Sequence, residues 1–229
     1  ISREKFFLNL NSRCPENDTT KNQRKRRIIS NLSALKLNEE GFIITLLERY
    51  SYLKSLVTER KEEFEKLCEF AETETEYLTA PASSRFHLCN EGGLLEHSLN
   101  VAETMLKMKN TLCPDISDES CVVTALFHDL GKVGMPDNPM YIKNYGKNGK
   151  EPSIPYSCNN NMTYMSVPLR SLYFILPIFP LTPEEVQAIM YHDGQYVDDN
   201  KSVATKECPL LFLLQYADTW STFVIEKDK

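Results

Sequence analysis

The sequence lacks the features that mark membrane proteins and disulfide-stabilised secreted proteins. No apolar run approaches the roughly 18 residues that a membrane span needs, and the first residues, ISREK, do not have the pattern of a secretory signal. The seven cysteines are an odd number and no two have CxxC spacing, which argues against a disulfide framework and a zinc knuckle. We therefore expect reduced, mostly buried thiols in a cytoplasmic protein that does not enter a membrane.

Positive charge is also scarce. The chain has 26 Lys and Arg against 32 Asp and Glu, a net charge of -6, which argues against nucleic acid as an obligatory partner because phosphate backbones bind to basic surfaces. The local exception is residues 21–27, KNQRKRR, which form either a solvated basic turn or a patch for phosphate or nucleic acid. The first residue is not Met, which is compatible with a fragment of a longer chain.

The fold class follows from the spacing of apolar residues. No alternating run of convincing length is present, whereas apolar residues recur at three- and four-residue steps in several segments, beginning at residues 43–57. The break TAPASS at 79–84 is typical of a boundary. We predict an all-α fold with an N-terminal helical region over residues 1–80 and a second domain over residues 81–229.

Residues 133–166 are the irregular part of the chain, with several Pro, Gly and Asn residues. A loop of this length in a compact domain is usually functional or mobile. Its tyrosines and lysines suit a lid over a phosphate-bearing substrate, and a plain surface insertion is the alternative.

Five polar residues lie on otherwise apolar helical stripes: His97, His128, Asp129, His192 and Asp218. For any one of them, a hydrogen-bonded place in the core is an open alternative. The adjacent pair His128 and Asp129 is harder to explain in that way, because burying two ionisable groups is costly unless something pairs them. Imidazole and carboxylate together suit Zn, Mn, Fe or Ni, and helical bundles hold such ions with inward-facing side chains.

Three motifs carry a resemblance to a known family: GGLLEHSLNVA at 92–102, FHDLGK at 127–132 and YAD at 216–218. They resemble the HD-domain metal-dependent phosphohydrolase superfamily, whose signature is a His, a His-Asp doublet and a distant Asp. The resemblance covers residues 81–225 and implies an HD helical bundle. The form GGLLEHS, with HDG at 192–194, is similar to the HD exoribonuclease branch and to uncharacterised bacterial and phage HD proteins.

The resemblance implies a ligand set for a divalent transition metal, Mn, Fe, Zn or Ni: His97, His128, Asp129 and Asp218. His192 matches a further His that helps to hold a second ion in two-metal members. Those members usually carry another His just before the helix that starts here near residue 169, where this chain reads VPLRS. We therefore expect one ion, and a second would be held only loosely by Asp129, His192 and water.

The same resemblance suggests roles in catalysis or substrate binding for residues near the ligands. Lys132 would offset phosphate charge, or would be a surface lysine at a helix C-terminus. Asp193 would accept a proton from water or cap a turn, and Asp129 would act in catalysis as well as in metal binding. Arg170 is a candidate phosphate clamp. His87 would orient the substrate or protonate the leaving group, or would only bond backbone.

These expectations amount to a metal-dependent phosphohydrolase that cleaves a phosphomonoester or phosphodiester in a nucleotide-type substrate. A bound metal lowers the pKa of water and polarises a phosphoryl oxygen. The alternatives are a 3′-5′ exonuclease on single-stranded nucleic acid, which the net acidic charge disfavours, and a non-catalytic HD scaffold. The sequence does not indicate an oligomeric state.

Overall fold

The computed structural model describes residues 35–37, 43–135, 137–146 and 152–227. Seven α-helices lie in this part of the chain: α1 (Leu46–Ser55), α2 (Lys61–Thr73), α3 (Gly93–Leu112), α4 (Asp118–Phe127), α5 (Val167–Ile175), α6 (Pro183–Tyr191) and α7 (Pro209–Trp220). The all-α prediction is confirmed. None of the described helices combines the length and the apolar character needed to cross a bilayer. The basic segment 21–27 falls outside the described residues.

Two small antiparallel hairpins accompany the helices and were not predicted. One pairs β1 (Leu35–Leu37) with β2 (Ile43–Thr45), and the other pairs β3 (Tyr141–Lys143) with β4 (Tyr156–Cys158). The second hairpin lies inside the irregular stretch 133–166, and it is joined to the preceding loop where the Tyr156 amide donates to the Ser84 carbonyl. Its proposed role as a lid stays a prediction.

The N-terminal helices share one hydrophobic core with the rest of the described chain. Thr45 caps α1 in a capping box with Glu48, and a break near residues 56–60 separates α1 from α2. The buried side chains of Leu53, Phe64 and Leu67 belong to the same cluster as those of α3 and α4. The boundary near residue 80 therefore marks a change in local sequence and stays a prediction as a domain boundary.

Helix α3 is central and packs against both α4 and α7. Gly92 caps it with a positive φ of 82°, which a residue with a Cβ adopts only with strain. A Cβ on Gly93 would lie 2.1 Å from the Leu88 carbonyl oxygen. The glycine pair thus lets the loop that carries His87 pass directly over the start of α3.

The sequence offers Ser117 or Asp118 as the cap of α4, and the cap is Ser117, whose side chain accepts from the Ser120 amide. A glycine directly after an apolar helical run, as at Gly131, predicts the end of this helix, and that prediction is wrong. The helix ends at Phe127, and Gly131 lies within a following 3-10 turn, Leu130–Val133. A Cβ on Gly131 would lie 2.2 Å from the Val167 carbonyl oxygen, so glycine here allows the turn to pack tightly against α5.

The sequence pattern predicts the starts of the last two helices, at Thr182 and Pro209, but it does not indicate the cap at Ser166. Ser166 caps α5, Thr182 forms a capping box with Glu185 before α6, and Pro209 opens α7. Helix α7 then widens into a π-helical turn, Ser221–Ile225. Helix α6 packs on α7, and the ends of α4 and α6 therefore meet the inner face of α7.

Candidate metal centre

The five predicted ligands come together at the centre of the helical bundle. His97 lies on α3, His128 and His192 directly follow α4 and α6, and Asp218 lies on α7. Nε2 of His128 lies 3.4 Å from Oδ2 of Asp129. Nε2 of His192 lies 3.7 Å from Oδ1 of the same carboxylate, and Nε2 of His97 lies 3.6 Å from its Oδ2. Asp129 thus faces three imidazoles at once.

Local backbone contacts aim two of these rings. Nδ1 of His128 lies 2.8 Å from the Ala125 carbonyl oxygen, and Nδ1 of His192 lies 2.8 Å from the Ile189 carbonyl oxygen. A carbonyl oxygen can only accept, so Nδ1 carries the donated proton in both rings. Each ring thereby satisfies a carbonyl in the last turn of its helix and turns the lone pair of Nε2 towards Asp129.

His97 is oriented by a carboxylate that the sequence did not reveal. Nδ1 of His97 lies 3.0 Å from Oε2 of Glu226, which fixes the proton on Nδ1. Nε2 then lies 3.1 Å from Oδ1 of Asp218, so that two acceptors face each other. Either a second proton on the ring or a metal ion between the two groups resolves this conflict.

Imidazole nitrogens without hydrogen-bond partners indicate whether a metal ion fits the centre. In the described part of the chain, Nε2 of His87, His97 and His128 is buried and has no hydrogen-bond partner, and leaving a buried polar atom unpaired is costly. Ligand atoms of two groups lie within 4.8 Å of one another: His97, His128 and Asp129, and His128, His192 and Asp218. These donors fit a divalent transition metal.

The electrostatics of the metal-free centre agree with this interpretation. Burial would lower the pKa of His97, but the neighbouring carboxylates of Asp218 and Glu226 outweigh burial and raise the pKa to about 9. The pKa of His192 is likewise raised to about 9, because Asp129 and other carboxylates outweigh burial. Protons balance the buried carboxylates here, and a metal would displace them.

Lys132 lies within the centre and is not a surface residue. Its Nζ lies 2.5 Å from Oδ2 of Asp129, and 17% of its side chain is exposed. Burial would raise the pKa of Asp129, but the charges of Lys132 and His128 outweigh burial and hold the pKa well below its usual range. The ammonium group is therefore placed beside the predicted ligands, where an incoming phosphate would meet it.

Arg170 does not have the environment predicted for a phosphate clamp. It is 3% exposed, and its guanidinium donates to the carbonyl oxygens of Gly131, at 2.7 Å, and Met165, at 2.9 Å. The next residue, Ser171, donates to the His128 carbonyl at 2.7 Å and accepts from the Gly131 amide at 2.8 Å. Together the two side chains hold the His-Asp turn against α5, which the sequence did not indicate.

A cavity of about 630 Å³ opens onto the centre. Its wall includes His87, whose ring centroid lies 5.1 Å from that of His97. Burial and the neighbouring charges of His97 and Lys132 lower the pKa of His87 to about 4. The neutral imidazole suits orientation of a substrate better than donation of a proton from an imidazolium.

Two further parts of the cavity wall bear on the predictions. Asp193 lies 3.7 Å from Nε2 of His192, and its side chain makes no capping bond to the turn that follows, so the capping alternative is not realised. Val167 and Pro168 line the cavity in the segment where two-metal members carry a further His. The number of ions stays a prediction of one.

Comparison with protein families agrees with this geometry. Residues 94–158 match the HD domain model, a stretch that includes His97, His128, Asp129 and Lys132. The chain carries an HD domain. An HD domain implies metal-dependent phosphohydrolase activity in general. His192 and Asp218 lie beyond the matched residues and are joined to the site by the tertiary structure. Neither the curated proteins nor the solved structures give a match.

Proposed function

We propose that this protein is a metal-dependent hydrolase of a phosphomonoester or phosphodiester bond in a nucleotide-type substrate, acting in the cytoplasm. The observation that carries the proposal is the convergence of imidazole nitrogens and carboxylates on one point beneath an open cavity. His97, His128, Asp129 and Asp218 would hold the ion, with His192 beside them. An intact ligand set of this kind is not needed by a non-catalytic scaffold.

The residues around the predicted ligands have different roles in hydrolysis. A bound divalent metal lowers the pKa of water and polarises a phosphoryl oxygen. Lys132 offsets the negative charge that the phosphoryl group brings to Asp129. Asp193 is partly exposed beside His192 and accepts the proton from water. His87, also in the cavity wall, orients the substrate through the nitrogen that has no partner.

The cavity wall supports a substrate with a base. Tyr164, Tyr196 and Phe223 line the cavity and are 90%, 95% and 70% exposed. Aromatic rings at a site mouth stack on nucleobases, with a contribution of about 1–3 kcal/mol per base. The volume of about 630 Å³ lies in the usual range for small-molecule sites. A single nucleotide thus suits this cavity in both size and chemistry.

The charges of the wall favour a short substrate over a nucleic-acid strand. Lys132 is the only lysine or arginine among the described residues that line the cavity, whereas Asp129, Asp193, Asp199 and Asp218 are acidic. Single strands are bound in positively charged grooves that follow the backbone. An exonuclease is therefore the second candidate.

Metal analysis and hydrolysis assays test the proposal directly. Purified wild-type protein should contain a transition metal and should hydrolyse generic phosphoesters when Mn²⁺ is added. His128→Ala and Asp129→Ala should lose both properties. Asp118→Ala, at a half-exposed carboxylate paired with Lys109, is the matched control and should keep both. Wild-type protein without metal and without activity in Mn²⁺, or active ligand variants, would contradict the proposal.

A second assay decides between substrate classes. Wild-type protein should hydrolyse nucleoside monophosphates faster than glycerol phosphate, and it should act weakly on single-stranded RNA. Tyr196→Ala should raise KM for the nucleotide and leave the hydrolysis of glycerol phosphate unchanged. Tyr145→Ala, at an exposed tyrosine that does not line this cavity, is the control. Preference for the RNA strand would favour the exonuclease.

A further inference from the structure

Glu226 is a buried carboxylate at the end of the π-helical turn that follows α7. Its backbone amide donates to the Ser221 carbonyl at 2.9 Å, and its side chain is fully buried. Asn100 donates to its Oε1 from Nδ2 at 2.6 Å, and Nδ1 of His97 lies 3.0 Å from its Oε2. A buried charge needs such partners, and one of the two partners here is a metal ligand.

The hydrogen bonds continue from Glu226 to the N-terminal helix α1. Arg49, which is buried, donates from Nη2 to Oδ1 of Asn100 at 2.9 Å. The same guanidinium bonds both carboxylate oxygens of Glu103, at 2.6 Å and 2.8 Å. The amide of Asn100 is thus held with its oxygen towards Arg49 and its nitrogen towards Glu226. This relay of Arg49, Asn100, Glu226 and His97 joins α1, α3 and the C-terminal turn.

We propose that Glu226 is a positioning residue of the metal centre and that Arg49 and Asn100 hold it in place. The carboxylate keeps the proton of His97 on Nδ1 and aims the lone pair of Nε2 at Asp129 and Asp218. Carboxylates in this role raise the basicity of the ligand and fix the orientation of the ring, and their loss typically weakens metal binding by about 10–100-fold. The N-terminal helix thereby supports the centre without contacting it.

Direct ligation by Glu226 is the competing interpretation. Nε2 of His87 lies 3.8 Å from its Oε2, and the ligand atoms of His87, His97 and Glu226 lie close together. However, Nδ1 of His97 and the amide of Asn100 already occupy the carboxylate. An ion bound there would have to displace both bonds, so positioning fits the contacts better.

The test measures Mn²⁺ affinity and stoichiometry by calorimetry on metal-free full-length protein. Glu226→Gln keeps the shape of the side chain, but it offers one acceptor where His97 and Asn100 both donate. We expect its Kd for Mn²⁺ to rise 10–100-fold at unchanged stoichiometry, and the Kd of Asn100→Ala to rise severalfold. Asn100→Ala alone decides the question if Glu226→Gln does not fold.

Glu119→Gln is the matched control, because Glu119 is also a buried, hydrogen-bonded glutamate but pairs with Arg60 away from the centre. It should lose stability and keep the wild-type Kd. In nitrogen-15 spectra of the imidazoles, the proton of His97 should leave Nδ1 in Glu226→Gln. A Kd within threefold of wild type in both relay variants, or a fall in stoichiometry from two ions to one, would overturn the proposal.

This inference rests on the metal site of the proposed function and not on its substrate. Wild-type protein that binds Mn²⁺ but hydrolyses no phosphoester would overturn the proposed function and leave the relay standing. Wild-type protein that hydrolyses phosphoesters, with relay variants of unchanged Kd, would overturn the relay alone. Binding of no ion by the wild type would overturn both.

Discussion

At the scale of single residues, the two histidines that end helices serve two purposes with one ring. His128 and His192 each bond a carbonyl in the last turn of their helix through Nδ1 and present Nε2 to Asp129. These backbone carbonyls thus favour the tautomer with the proton on Nδ1, which leaves Nε2 available to a metal. His97 lies near the start of α3 and not at a helix end with a free carbonyl, and it depends on Glu226 instead.

Loss of the Lys132 ammonium group should reduce activity without reducing metal binding. Lys132→Met should lower kcat/KM for a phosphoester by about 100–1,000-fold, because charge stabilisation of the reacting group is lost. The metal content should not fall, since the ammonium is not a ligand. Parallel steady-state kinetics and metal analysis would check both expectations. Lys109→Met, which breaks an ion pair with Asp118, is the control. Unchanged kinetics would remove Lys132 from the mechanism.

At the scale of elements, one arginine joins three parts of the bundle. Arg60, just before α2, donates to Glu119 at the start of α4 and to both carboxylate oxygens of Glu185 at the start of α6. The amides of Thr58 and Glu59 also donate to Glu119. This cluster holds the first turns of α4 and α6 together, and the predicted metal ligands His128 and His192 follow the other ends of the same helices.

Loss of Arg60 should therefore destabilise the fold in a pH-dependent way. Removing one partner of a buried pair costs about 3–5 kcal/mol, and we expect about 3 kcal/mol for Arg60→Met at pH 7, the lower end of that range, because the arginine is partly exposed. Burial would raise the pKa of Glu119, but bonds from Arg60 and the two backbone amides outweigh burial and lower the pKa.

The sign of the pH effect follows from that lowered pKa. A carboxylate with a lowered pKa stabilises the fold above the ordinary glutamate pKa, and its contribution is lost as pH falls through the folded value. The difference between wild type and Arg60→Met should thus shrink below pH 4.5, the ordinary value. Urea denaturation from pH 7 to pH 3.5 measures it. Lys61→Met, at an exposed pair with Glu65, should change little. A difference that grows on acidification would contradict the assignment.

At the scale of the whole molecule, the centre joins helices that are far apart in sequence. His97 and Asp218 lie on α3 and α7, and α4 and α6 bring the other ligands. Because the unfolded chain cannot assemble this ligand set, metal binding should stabilise the fold as a unit. The hydrophobic core, which includes α1 and α2, places these two helices in that same unit.

Thermal denaturation checks this prediction. Mn²⁺ at 100 times its Kd should add about 2.7 kcal/mol to the free energy of unfolding, seen as a higher Tm of the wild-type protein. His128→Ala should show no such shift in the same Mn²⁺, and Asp118→Ala should shift like the wild type. An equal rise of Tm in the His128 variant would mean that Mn²⁺ binds elsewhere.

Local chemistry explains what could be predicted. Helix starts at Ser117, Thr182 and Pro209 depend on side chains within three residues of the cap, so the sequence contains all the information that they need. The end of α4 was wrongly predicted at Gly131. Glycine is needed at this position because the Val167 carbonyl, 36 residues away in sequence, lies where a Cβ would be. A glycine that ends a helix and a glycine that allows close packing look the same in sequence.

The helical class, the starts of α4, α6 and α7 and the five candidate ligand positions could be predicted from the sequence, since each depends on spacing along one segment. The hydrogen-bond partners of the polar side chains depend on the tertiary structure. Arg170, predicted as a phosphate clamp, instead bonds backbone carbonyls and supports the His-Asp turn. Glu226 lies beside His97 although 129 positions separate them in sequence. Hydrogen bonds between distant segments leave no periodicity in the chain, and they depend on how the helices pack.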